Sequence, residues 1–132
     1  MKIFLSYKFT GENPKILEET IQNICNSPKA KHSYFCSFWK EAFFKKNKFT
    51  HKQILEYVFK ELEKSDIYLA FIKNEDKSEG MLLEAGYALA KKKKIYLAIK
   101  KGTDTVFLRD FADKIIEFNE LDELYKKLKI LV

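Results

Sequence analysis

The chain has 132 residues, enough for one domain around one core, since domains commonly run to ~100–150 residues. It is 46% hydrophobic and 33% charged with only 4 Gly and 2 Pro, which excludes disordered and collagen-like chains. Lys and Arg (25) outnumber Asp and Glu (19), and the net charge of +6 fits either an anionic partner or a lysine-rich solvated surface.

Two cysteines, Cys25 and Cys36, make no disulfide framework, and His32 and His51 lack the number and spacing of a metal site. Residues 1–6 carry no secretory pattern, and no apolar run approaches the ~18 residues of a membrane span. The expectation is a cytoplasmic, reduced protein with no membrane association, no metal and no cofactor.

Residues 2–7 read as a first strand, with Ile3, Phe4 and Leu5 before a polar turn that contains Gly11 and Asn13. Pro14 suits the first position of a helix, and Leu17, Ile21 and Ile24 recur on one face of it to residue 26. A short strand at 32–37 leads into an aromatic loop, residues 38–44. Thr50 with Gln53 three positions on is a capping box that opens a helix to residue 64, with Ile54, Leu55, Val58, Phe59 and Leu62 inward. Residues 66–72 form a near-continuous apolar run, the pattern of a strand buried on both faces. A charged loop at 73–78 precedes a helix at 79–91, a strand at 94–99, a short helix at 103–111, a fifth strand at 114–118 and a closing helix at 119–131.

Strands that alternate with helices imply crossover connections and a parallel sheet covered on both faces. The expected fold is a single α/β domain over 1–132, a flavodoxin-like doubly wound five-stranded parallel sheet in the order 2-1-3-4-5. Ligands of such sheets sit beyond the carboxyl ends of the strands where the strand order reverses. That rule points to the loops after the first and third strands, residues 6–13 and 73–79.

The second of these loops runs into Ser78, Gly80, Glu84, Gly86 and Ala88. Ser78 and Gly80 fall where a helix has free backbone N–H groups, able to hold a phosphate or carboxylate. Glu84 follows Ser78 by six positions, about one and two thirds turns, which carries a carboxylate along the same wall. Gly86 and Ala88 are small enough for close approach to the sheet. The plain structural alternative is a serine cap, a small-residue packing face and a solvated glutamate.

With Ile3, Phe4, Leu5 and Ser6 in the first strand and Ser78-x-Gly80-x-x-x-Glu84-x-Gly86-x-Ala88 after the third, the chain resembles the nucleoside 2-deoxyribosyltransferase superfamily. That superfamily includes the 2′-deoxynucleoside 5′-phosphate N-hydrolases. The resemblance implies N-glycosidic bond cleavage, by hydrolysis or transfer, on a small nucleoside or nucleotide. It makes Glu84 the nucleophile and has Ser78 and the amides near Gly80 bind the sugar's 5′ end or its phosphate; the loop after the first strand, with Ser6, Tyr7 and Gly11, is expected to close the other side of the pocket and bind substrate there. It also implies a homodimer.

The family's helix aspartate falls here on Val58; Glu56 points off that face, and Glu61 is the nearest acidic alternative. A first-strand tyrosine of some members is replaced by Phe4, with Tyr7 close by. The same Ser6, Tyr7, Ser78 and Glu84 also resemble a TIR domain. That likeness implies NAD glycohydrolysis, or a non-catalytic nucleotide sensor or signalling adaptor.

Phe38, Trp39, Phe43, Phe44 and Phe49 alternate with lysines, a pattern that serves either a base-gripping wall or packing of the segment against the core. Acidic residues are spread along the whole chain, which argues against a dedicated nucleic-acid surface. Lys91 to Lys94 close a helix, where cations favour the dipole. Glu75, Asp76 and Glu79 flank Ser78 and read as a solvated acidic loop.

Overall fold

The computed structural model describes residues 1–8, 11–75, 78–104 and 106–131, with Val106 described by its backbone alone. The elements are β1 (Lys2–Ser6), α1 (Pro14–Asn26), β2 (Ser33–Cys36), a 3-10 turn (Ser37–Lys40), α2 (Glu41–Lys46), α3 (His51–Glu63), β3 (Ile67–Ile72), α4 (Glu79–Ala90), β4 (Lys94–Lys100), α5 (Val106–Phe111), β5 (Lys114–Phe118) and α6 (Leu121–Leu128). The five strands form one parallel sheet in the expected order, β2-β1-β3-β4-β5.

Local chemistry explains where the elements start. Asn13 accepts from the backbone N–H of Lys15 (3.0 Å) and Ile16 (3.3 Å), and Pro14 opens α1 without wasting a donor. At α3 the capping box closes both ways: Thr50 Oγ1 accepts from Gln53 N–H (3.1 Å), and Gln53 Oε1 accepts from Thr50 N–H (2.8 Å). All six residues of β3 are buried, as a central parallel strand requires. Right-handed crossovers to opposite sides of β1 put α1 and α6 on one face of the sheet and α3 and α4 on the other.

Two expectations need correction. The aromatic segment is helical rather than a loop, because its rings are fixed in a cluster. Phe43, Phe44 and Phe49 gather around Tyr57 of α3, with centroids 5.3–6.4 Å apart. Trp39 stays exposed. Gly86 does not approach the sheet. Helical spacing sends Met81, Glu84, Ala85 and Ala88 inward, so Gly86 falls on the outer side with Leu82 and Leu89. A Cβ on Gly86 would meet nothing within 4 Å.

Candidate active site

The strand order reverses between β1 and β3, so the chain leaves both strands on diverging paths and opens a crevice at their carboxyl ends. A cavity of about 290 Å³ occupies that edge, walled by Tyr7, Leu17, Phe71, Ser78, Met81 and Phe107. Its polar rim includes Lys8, Glu12 and Lys73, and Lys73 Nζ meets Glu12 Oε2 at 2.6 Å.

Glu84 sits in the second turn of α4, facing the end of β1. Ser6 Oγ donates to its Oε1 at 2.6 Å, a buried contact between residues far apart in the chain. Burial disfavours the charged form and raises the Glu84 carboxyl to about 7, against the opposing pull of the Ser6 hydrogen bond. Glu84 is not a wall of the cavity; it stands one turn behind Met81, which is. The residue keeps only 9% of its surface exposed, so the carboxylate is not in bulk solvent. Among the described residues it has no ion-pair partner.

Ser78 caps α4, its Oγ accepting from Met81 N–H at 3.3 Å, and it lines the cavity. A buried, hydrogen-bonded glutamate therefore stands one turn behind a cavity whose wall includes the serine that caps its helix.

A family model for nucleoside 2-deoxyribosyltransferases matches residues 6–121. The chain belongs to that family. Membership assigns it to the enzymes that cleave or transfer the N-glycosidic bonds of nucleosides. No curated protein matches the chain at sequence level. Solved structures share the fold. A CMP N-glycosidase from Clostridium botulinum is 19% identical with a TM-score of 0.70, covering 97% of each chain. A conserved protein from Enterococcus faecalis V583 is 14% identical with a TM-score of 0.73, covering 96% of each chain. The 2-deoxyribosyltransferase of Bacillus psychrosaccharolyticus is 15% identical with a TM-score of 0.60, covering 98% of this chain and 97% of its own.

In this nucleoside 2-deoxyribosyltransferase fold the other expected residues scatter. Tyr7 is buried and lines the cavity, its ring 6.4 Å from Phe38 and its phenol near the Cys36 thiol. Burial holds the Tyr7 hydroxyl neutral, and pushes the Cys36 thiol up to about 12. Gly11 takes a positive φ of 82° in the turn that leads to the Asn13 cap, a backbone role, and is not a cavity wall. Gly80 is exposed on the first turn of α4, off the cavity wall. Asp76, and with it part of the acidic loop, lies outside the described residues, as do Phe9 and Thr10 of the loop after β1.

At the family's aspartate position Val58 is buried and apolar. Glu61 is no substitute. It pairs with Lys2 Nζ at 2.7 Å, at the amino end of β1 and so at the opposite edge of the sheet from the crevice.

The residue that sequence reading missed is Tyr68. It lies fully buried in β3, its ring stacked on Phe4 at 5.8 Å, and its hydroxyl donates to the Met81 carbonyl at 3.1 Å. The available signal was a lone hydroxyl in an otherwise apolar strand, Ile67 to Ile72.

Proposed function

We propose that this chain cleaves the N-glycosidic bond of a nucleoside or nucleotide with Glu84 as nucleophile. The observation that carries the reading is the Ser6–Glu84 hydrogen bond, which holds a desolvated carboxylate at the crevice between β1 and β3. Desolvation raises the energy of the carboxylate more than that of a transition state in which its charge is neutralised against an oxocarbenium-like C1′. The C1′–N bond breaks with its electron pair leaving on the base, and a C1′–O bond forms to Glu84. Water, or a second base, then attacks C1′ and returns the carboxylate.

Ser78 and the free amides of the first turn of α4 suit the 5′ end of the sugar. The apolar cavity, with Tyr7, Phe71 and Phe107 in its walls, suits a flat base. Val58 offers no proton, so the leaving base takes one from solvent. Gly11 and Gly80 shape the two loops rather than touch substrate.

The chain also pairs with a second copy of itself. Leu82, Leu83 and Leu89 leave α4 apolar on its outer side as well as its inner side, the pattern of a helix covered on both.

The test is a panel of ribo- and deoxyribonucleosides, their 5′-monophosphates and NAD, with released base followed by chromatography. Base release that disappears in Glu84→Gln is expected. Binding without turnover across the panel, or full activity in Glu84→Gln, would remove Glu84 from the chemistry.

A further inference from the structure

We propose that Tyr68 is the positioning residue for Glu84, its buried phenol fixing the first turns of α4 and the Ser6 hydroxyl in the arrangement that presents the carboxylate. The inference rests on the assignment of Glu84 above.

Three observations support it. Tyr68 and Phe4 are cross-strand partners in adjacent parallel strands, their rings stacked with 28° between planes, so the phenol cannot swing. Its hydroxyl donates at 3.1 Å to the Met81 carbonyl, one turn ahead of Glu84 on α4. The phenol shares its sheet face with Ser6, the residue that donates to Glu84: Ser6 stands two residues past Phe4, the register partner of Tyr68, and so is its diagonal neighbour.

The chemistry of β3 makes the hydroxyl conspicuous. Every other side chain of that strand is apolar, and phenylalanine would fill the same volume and keep the same ring stack. A buried hydroxyl is unfavourable unless it is bonded. Here it is bonded to the one helical turn that sets where Glu84 stands. An α-helix on a parallel sheet can otherwise slide by fractions of an ångström on its small residues, Ala85 and Ala88. Fractions of an ångström are what separate a carboxylate aimed at C1′ from one aimed past it.

The groups near Glu84 are Ser6 from β1, Cys36 from β2 and Tyr68 from β3. α3 packs on α4 through Phe59 against Tyr87 and turns apolar Val58 and Leu62 to the core. Orientation of the carboxylate therefore falls to hydroxyl groups rather than to a cation.

The experiment is a double-mutant cycle in the full chain with Ser6→Ala and Tyr68→Phe, read in kcat and KM for the best substrate of the panel, with Glu84→Gln as control. Tyr68→Phe lowers kcat about tenfold with KM within twofold of the parent. The double variant loses far less than the product of the two single losses, because the two hydroxyls act as a unit. Tyr68→Phe with parental kcat, or losses that multiply, overturns the proposal. A Tyr68→Phe chain that no longer folds also overturns it, since the hydroxyl would then serve the sheet and not the site. If Glu84→Gln keeps parental activity, the assignment of Glu84 falls and the role of Tyr68 falls with it; a dead Glu84→Gln beside an unimpaired Tyr68→Phe removes Tyr68 alone.

Discussion

A carboxylate taken out of water keeps its proton longer, and at Glu84 that displaces ionisation from 4.5 to about 7. The sign of the consequence follows from proton counting. Between about pH 4.5 and 7 the unfolded chain has released a proton that the folded chain still holds, so stability falls as pH rises through that window. The full displacement corresponds to about 3 kcal/mol at ~1.4 kcal/mol per pH unit. Glu84→Gln therefore gains in melting temperature relative to the parent between pH 5 and pH 8. A difference that does not change with pH would mean that Glu84 ionises as a surface carboxylate does. The nucleophile must be ionised to react, so base release climbs through the same window, opposite in direction to stability. Activity that peaks at pH 5 would contradict the assignment.

Elements decide whether that residue arrives in place. α4 reaches the sheet on Ala85 and Ala88, and each added carbon there meets β3 or β4 rather than solvent. Ala88→Leu should destabilise by about 1–3 kcal/mol and should also cut kcat, because the helix that carries Glu84 must lift to make room. Thr50→Ala removes a cap on α3, away from the crevice, and should lower stability by about 1 kcal/mol while leaving kcat unchanged. Urea midpoints set beside kcat separate the two. A loss of activity in Thr50→Ala, or full activity in a destabilised Ala88→Leu, would show that α4 does not set the site's geometry. The capping box and the inward face of α3 were legible in the sequence, since caps and 3.6-residue periods are local patterns, whereas the expectation that Gly86 faces the sheet departed from that same period. The helical turn of the aromatic segment was not, because it follows from Phe43, Phe44 and Phe49 meeting Tyr57 in space.

For the whole molecule, the apolar outer side of α4 is the feature that a lone domain leaves unexplained. Leu82, Gly86 and Leu89 recur at i, i+4 and i+7, a stripe open to close approach where the glycine sits. A pair of about twice 15.7 kDa is expected in light scattering at micromolar concentration, and Leu83→Glu, beside that stripe, should reduce it to a single chain. A parent that scatters as one chain would sink the pairing. Phe107 and Leu82 both stand exposed at the cavity. A second copy against α4 would therefore narrow the mouth of the site.

The sequence by itself determined the order of elements, the parallel sheet and the serine–glutamate spacing along α4. Each is written in neighbouring residues, as burial runs, caps and helical periods. Only the tertiary structure decided what those residues face. Ser6 and Glu84 are 78 positions apart and meet because the strand order reverses beside β1. The same packing left Glu61 at the far edge and brought Tyr68 under the first turn of α4. A periodic pattern says which side of an element is buried, but the partner it is buried against is fixed only when distant elements pack.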